Sequence, residues 1–99
     1  MGTMRYEWDE AKREANRDKH GVDFVAAFGF DWGLAIIDRD GRFAYREPRF
    51  IALGPIHGRL YALVFTPRED ATRIISFRKA NRREQAAYTA AVLARLARG

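Results

Sequence analysis

Two apolar segments in the second half of the chain place the strongest constraint on its fold. Residues 60–65 read LYALVF and residues 74–77 read IISF, so apolar side chains occupy odd and even positions alike. A strand with one face in water instead alternates apolar and polar residues. We therefore expect both segments to be central strands of a sheet that is covered on each face.

Two more strands are predicted before this pair. The four predicted strands span residues 34–38, 50–53, 59–66 and 73–78. Asp40-Gly41 is a turn signal, Gly54-Pro55 is expected to end the second strand, and His57-Gly58 is expected to complete a hairpin loop before the third. The third and fourth strands are joined across residues 67–72, and the pattern as a whole predicts a four-stranded antiparallel meander.

Helices flank the predicted sheet on both sides in sequence. They span residues 10–19, 24–30 and 82–98. Asp9 and Asp23 are suited to cap the first two helices, and Gly21 is a natural residue to end the first. Asn81, with Glu84 three residues later, has the spacing of a capping box at the start of the third. The fold class is therefore α+β, with two N-terminal helices, a sheet and a C-terminal helix.

The length and composition define the broad class of protein. Ninety-nine residues suit one domain, residues 1–99, and the second methionine, Met4, leads us to interpret residues 1–3 as an expression remnant. No apolar run is long enough to cross a membrane. The chain has no cysteine and two distant histidines, so we expect no metal site and no cofactor, and a cytoplasmic location.

The positive charge is concentrated at the C-terminal end. Residues 73–99 contain seven basic side chains and one acid, whereas the first 72 residues contain eleven basic and twelve acidic ones. Fifteen of the eighteen basic residues are arginine, whose planar guanidinium can bind a phosphate or a carboxylate through two hydrogen bonds. The sequence therefore predicts a polyanionic ligand or an acidic partner.

Several motifs in order resemble the BrnT family of bacterial type II toxins. They are Tyr6-Glu7-Trp8-Asp9, Lys19-His20-Gly21-Val22-Asp23-Phe24, Arg49-Phe50-Ile51-Ala52-Leu53-Gly54, Gly58-Arg59, Arg73-Ile74-Ile75-Ser76-Phe77-Arg78-Lys79-Ala80, Arg82-Arg83-Glu84 and Tyr88. The resemblance covers residues 6–88. It implies a RelE/ParE-like fold and a metal-independent ribonuclease that stops translation. One departure is that residues 40–47 contain no histidine, although many family members carry a histidine in this acidic loop.

The resemblance also implies specific partners. A ribbon-helix-helix antitoxin similar to BrnA would neutralise the toxin, in an assembly of two toxin and two antitoxin chains. RNA would be the substrate, and operator DNA would be bound only through the toxin–antitoxin complex. No membrane is involved in this interpretation.

Four residues are candidates for the chemistry of RNA cleavage, which needs a base for the 2′-OH and cations for the charge that develops on the phosphate. Arg78 is predicted to stabilise the transition state, unless it is a surface arginine paired with Glu84 or Glu47. Arg59 is a second candidate for that pocket, with a structural ion pair as the alternative. Glu84 is either the general base or the capping partner of Asn81, and capping is the preferred interpretation.

His20 is the fourth catalytic candidate, because an imidazole suits proton transfer near neutral pH, and the alternative is a simple helix cap. His57 is expected to be solvated in a loop. The candidates for RNA binding are Lys19, Arg49, Lys79, Arg82, Arg83 and Tyr88. For Tyr88, a position in the core is preferred over stacking on a base.

Two other functions stay open at this point. The basic C-terminal third can bind RNA or DNA without cleaving it, with Trp32, Phe43 and Tyr45 as stacking residues. Alternatively, a RelE-like scaffold can act on a gyrase-like enzyme, which is an analogy at the level of fold alone.

Overall fold

The computed structural model describes residues 4–41 and 46–99, which form a mixed five-stranded sheet with helices around it. The strand order is β1-β5-β4-β3-β2. The strands are β1 (Tyr6–Glu7), β2 (Ile36–Arg39), β3 (Phe50–Ile56), β4 (Arg59–Pro67) and β5 (Thr72–Lys79). The α-helices are α1 (Glu10–His20) and α2 (Arg82–Arg98), and two 3₁₀ helices span Phe24–Gly29 and Trp32–Leu34.

The antiparallel meander of β2 to β5 is confirmed, but the sheet has a fifth strand that the sequence did not predict. In β1, Tyr6 and Glu7 pair in parallel with Thr72 and Arg73 of β5. Arg73 also donates to the Glu7 carboxylate at 2.9 Å. Two residues cannot show an alternating pattern, and their partner lies 66 residues away, so no local signal marks this strand.

The second predicted strand was expected to end at Gly54-Pro55, and this expectation is wrong because β3 continues to Ile56. Pro55 lies opposite Leu60 in the strand pair. The Pro55 carbonyl accepts from Asp31 N–H at 3.1 Å, and the Leu60 carbonyl accepts from Ala80 N–H at 3.0 Å. The two residues therefore do not bond to each other, and the missing N–H of proline costs no hydrogen bond in the ladder.

The hairpin loop between β3 and β4 is confirmed at His57-Gly58. Both residues have positive φ, 46° for His57 and 80° for Gly58. This is the conformation of a type I′ turn, whose twist matches that of two antiparallel strands. His57 is exposed, as expected.

The helix predicted over residues 24–30 is a 3₁₀ helix, Phe24–Gly29. Another 3₁₀ helix, Trp32–Leu34, includes the first residue of the strand predicted over residues 34–38, so β2 begins at Ile36. Asp23 caps the first of these helices and Asp31 caps the second. Each side chain accepts a backbone N–H in the first turn, which favours short helical turns over an extended strand.

The main core lies between the first 3₁₀ helix and one face of the sheet. Ala52, Leu63 and Phe77 share that face by strand register, and all are fully buried. Phe24 and Phe30 cover them, with the rings of Phe30 and Phe77 6.2 Å apart in an edge-to-face contact. This packing fixes β5, whose C-terminal end carries the candidate arginine.

Helix α1 covers the free edge of β5 through a buried amide. The side chain of Asn16 donates to Phe77 C=O at 2.7 Å and accepts from Phe77 N–H at 3.1 Å, as a neighbouring strand would. It also donates to Val22 C=O at 2.9 Å. Because β1 has already ended here, Asn16 satisfies backbone groups that would otherwise be unpaired, and it fixes α1 beside the end of β5.

Helix α2 has the predicted bounds and the predicted capping box. Tyr88 and Val92 are half-buried, and the Tyr88 hydroxyl donates to Leu34 C=O at 2.7 Å. Leu93 and Leu96 are 59% and 72% exposed, so the C-terminal part of this helix packs little against the described residues. No helix among residues 4–41 and 46–99 is long and apolar enough to span a membrane.

Candidate active site

Four exposed cations lie together where β5 ends and α2 begins. We define Arg59, Lys79, Arg82 and Arg83 as the cationic edge. Lys79 is the last residue of β5, and Arg82 and Arg83 open α2. Arg59 reaches the same connection, since its Nη2 donates to Ala80 C=O at 3.5 Å. Within the described ranges, none of the four has a carboxylate partner, so their charges face solvent.

Arg78 stands beside the cationic edge but is held by an acid. Its Nη1 and Nη2 donate to Glu84 Oε1 and Oε2 at 2.7 and 2.8 Å. Glu84 Oε1 also accepts from Asn81 N–H at 2.9 Å, which completes the capping box. The pairing and the capping that the sequence offered as alternatives to catalysis are thus both present, and they fix the guanidinium in place.

A cavity of about 250 Å³ opens next to this pair and adds a residue that the sequence analysis missed. Its lining includes Arg78 and Glu84 together with Asp40 and Ile51. Asp40 is buried, whereas the sequence analysis interpreted Asp40-Gly41 only as a turn signal. The lone signal available from the sequence was an acidic residue directly after a strand, which is too common to indicate a site.

His20 is the last residue of α1 and lies near Arg78, because Asn16 fixes α1 against β5. With Lys12, Lys19 and Ser76 it lines a cavity of about 240 Å³. Partial burial lowers the pKa of His20, and the charges of Lys19 and Arg78 lower it further. The imidazole is therefore mostly neutral at pH 7 and can accept a proton.

Arg59 and Tyr88 do not share a cavity with Arg78. They line a third cavity, between the β3–β4 hairpin and α2. Arg78 and Glu84 line the cavity beside Asp40, and His20 lines the cavity beside α1. The sequence analysis suggested that Arg59 and Arg78 face one pocket, but they line two separate cavities.

The remaining candidates occupy different positions. Arg49 directly precedes β3, where its C=O accepts from Asp40 N–H at 2.8 Å. Trp32 packs edge-to-face on Phe65 and donates its indole N–H to Tyr6 at 2.7 Å, so it belongs to the core rather than to a stacking surface. Phe43 and Tyr45 lie outside the described residues. Among residues 4–41 and 46–99, no cluster of three metal-ligating side chains is found.

A comparison with known protein families shows to which family the chain belongs. A family model described as "Ribonuclease toxin, BrnT, of type II toxin-antitoxin system" matches residues 8–84. No curated protein matches the chain. The match includes His20, Arg59, Arg78 and Glu84 and ends within the first turn of α2. The chain therefore belongs to the BrnT family, the ribonuclease toxins of type II toxin–antitoxin systems.

Proposed function

We propose that the chain is an endoribonuclease that cleaves RNA without a metal ion and thereby stops translation. A ribose 2′-OH attacks the adjacent phosphate, the P–O5′ bond breaks, the 5′-oxygen leaves as a hydroxyl after taking up a proton, and a 2′,3′-cyclic phosphate remains. The observation that carries the proposal is the cationic edge, four unpaired cations next to Arg78. A phosphate backbone is the ligand that such a surface attracts most strongly. The family assignment as a ribonuclease toxin supports RNA as the substrate.

The proposed roles follow from the positions of the side chains. His20 accepts the proton of the 2′-OH, because its lowered pKa keeps it neutral. Arg78 stabilises the negative charge that develops on the phosphate, and Glu84 positions its guanidinium. Three members of the cationic edge, Lys79, Arg82 and Arg83, bind the flanking phosphates, with Lys19 contributing from α1. Arg49 and Tyr88 stand further along the surface and contact RNA on either side.

The test is incubation of the purified chain with total bacterial RNA in EDTA. We expect cleavage by the native chain, loss of cleavage with Arg78→Ala, and unchanged cleavage with Arg98→Ala. Arg98 is an exposed arginine at the far end of α2, so its removal matches the change in charge. Cleavage that disappears on chelation and returns with added Mg²⁺ would refute the metal-independent mechanism.

The partner of a type II toxin is a protein antitoxin, and the family assignment extends this to the present chain. We propose a BrnA-like ribbon-helix-helix antitoxin, in a complex of two toxin and two antitoxin chains that acts in the cytoplasm. Operator DNA is bound through this complex rather than by the toxin alone. The antitoxin covers part of the surface formed by residues 78–83, since an acidic segment there would neutralise the cationic edge. A complex that leaves residues 78–83 fully exposed, or a one-to-one mass by light scattering, would contradict these proposals.

The same measurements separate the two other functions. A non-catalytic binding module would retain RNA affinity without any cleavage, and Arg78→Ala would reduce only the salt dependence of binding. A toxin directed at a gyrase-like enzyme would be toxic with intact RNA and damaged DNA.

A further inference from the structure

The cavity between the β3–β4 hairpin and α2 has the chemistry of a site for a planar, polar ring. It measures about 250 Å³, and its apolar walls include Pro55 and Leu60. Arg59, Gln85 and Tyr88 supply the polar and aromatic groups. It adjoins the cationic edge, because Arg59 belongs to both. Arg59 and Gln85 also donate hydrogen bonds to the same carbonyl, that of Ala80, which directly follows Lys79.

The hydrogen bond of Gln85 determines which atom it offers to a ligand. Gln85 Nε2 lies 3.0 Å from Ala80 C=O, which is an acceptor and therefore requires the NH₂ group on that side. The carbonyl oxygen, Oε1, is consequently the end of the amide left for a ligand. Gln85 thus presents an acceptor to the cavity.

Arg59 and Tyr88 complete the arrangement. The guanidinium of Arg59 makes a single long hydrogen bond, 3.5 Å to Ala80 C=O, so most of its donors remain for a ligand. The hydroxyl of Tyr88 is committed to Leu34 C=O at 2.7 Å, which fixes the ring as an aromatic wall rather than as a hydrogen-bonding group. The cavity therefore combines forked donors, one acceptor and an aromatic wall.

We propose that this cavity binds a guanine base of the RNA, next to the phosphate that is cleaved. This inference rests on the proposed ribonuclease function and adds a base preference to it. Guanine presents O6 and N7 to a guanidinium as paired acceptors, the commonest specific contact of arginine with a base. Its N1–H and N2–H groups are donors for Gln85 Oε1. Cytosine and uracil lack the O6/N7 pair, and adenine offers an amino group where guanine has O6.

The first test measures binding without depending on catalysis. The full chain is titrated with 5′-GMP, 5′-AMP, 5′-UMP and 5′-CMP and followed by NMR, using the backbone amides of Gly58, Leu60 and Thr89, which line the cavity, as the reporters. We expect GMP to bind about tenfold more tightly than the other three, from the discrimination that one paired arginine–base contact supplies. Arg59→Ala and Gln85→Ala should each abolish this preference, and Arg98→Ala should retain it. Equal affinity for GMP and UMP, or shifts confined to other residues, would overturn the inference.

The second test maps cleavage positions on an RNA that contains all dinucleotides. We expect cuts by the native chain to cluster beside guanine, and Gln85→Ala and Arg59→Ala to spread the cuts over all bases whatever their total rate. Cleavage with no base preference would overturn the guanine site and leave the ribonuclease function intact. A chain that cleaves no RNA but binds GMP selectively would refute the ribonuclease function and retain the site.

Discussion

The guanidinium of Arg78 and the carboxylate of Glu84 form a two-point ion pair, with N–O distances of 2.7 and 2.8 Å. The same carboxylate accepts Asn81 N–H and thereby closes the first turn of α2. One acid therefore fixes both the start of the helix and the orientation of the proposed catalytic arginine. The position of Arg78 depends on the helix cap as much as on its own strand.

Substitutions of Glu84 can separate these two roles. Glu84→Gln keeps an oxygen for Asn81 N–H but removes the charge, so we expect a small loss of stability and a cleavage rate about a hundredfold lower, as is typical of a misplaced catalytic group. Glu84→Ala removes both contacts and should lower the free energy of unfolding by about 1–2 kcal/mol. Urea unfolding and single-turnover cleavage of a short RNA measure the two effects. A Glu84→Gln chain that cleaves at the native rate would show that Arg78 does not need this acid.

His20 predicts a pH dependence of cleavage. Burial, Lys19 and Arg78 lower its pKa, so the neutral, proton-accepting form predominates at pH values where an ordinary histidine is partly charged. The cleavage rate should therefore rise with pH, with the midpoint of the rise below the usual histidine pKa of about 6.5. Lys19→Ala should move this limb to higher pH, whereas Lys12→Ala in the same cavity should move it less. A profile that is identical in a His20→Gln chain would exclude His20 as the base.

The same lowered pKa of His20 makes the stability of the fold depend on pH, in the same direction as cleavage. Because the pKa of His20 is lowered in the folded chain, protonation favours the unfolded chain, and stability falls as the pH drops through the unfolded value of about 6.5. His20→Gln should remove this part of the pH dependence. Thermal unfolding between pH 5 and 8 measures it, and a dependence that persists in the variant would assign it to other groups.

Local signals predicted a large part of the fold. The capping box at Asn81 and Glu84, the glycine that ends α1 and the turn at His57-Gly58 depend on neighbouring residues alone, and all three are confirmed. Strand β1 could not be predicted, because its pairing with β5 exists only after the chain has folded. Gly54-Pro55 was interpreted as a break because a sequence does not reveal whether a proline faces a bonded or a non-bonded position.

The candidate site was predicted less completely than the fold. Residue types and spacing were enough to predict the pairing of Arg78 with Glu84 as an alternative to catalysis. Arg59 and Arg78 line different cavities because of where α2 lies beside the β3–β4 hairpin, and that position depends on tertiary contacts such as Tyr88 with Leu34. The burial of Asp40 likewise follows from packing and not from its turn-like sequence.

Asp23 predicts a loss of stability in acid. Hydrogen bonds from the Arg13 guanidinium, at 2.8 and 3.0 Å, and from Val25 N–H hold the pKa of Asp23 far below its usual range. A lowered pKa stabilises the fold above the unfolded value of about 3.9, and this contribution is lost as the pH falls toward the folded value. Asp23→Asn should therefore lower the unfolding temperature at pH 7 and have a progressively smaller effect below pH 4. Asp18→Asn on α1 is the control, and equal effects of the two substitutions at pH 7 would contradict the prediction.

Gly54, in β3, leaves no room for a larger side chain, because the ring of Phe30 lies against it. A Cβ at this position would lie 2.6 Å from Phe30 Cζ and 3.0 and 3.1 Å from Cε1 and Cε2 of the same ring, whereas a Cβ at Gly29 would meet its nearest atom, in Ile56, at 3.5 Å. Phe30 is buried and packs on Trp32 and Phe77, so its ring cannot move aside freely. Gly54→Ala should therefore destabilise the fold by about 1–3 kcal/mol, the usual range for an overpacked core. Gly29→Ala should change stability much less, since its new methyl group makes an ordinary contact. Urea unfolding of the two variants measures the difference, and equal midpoints would show that Phe30 has room to adjust.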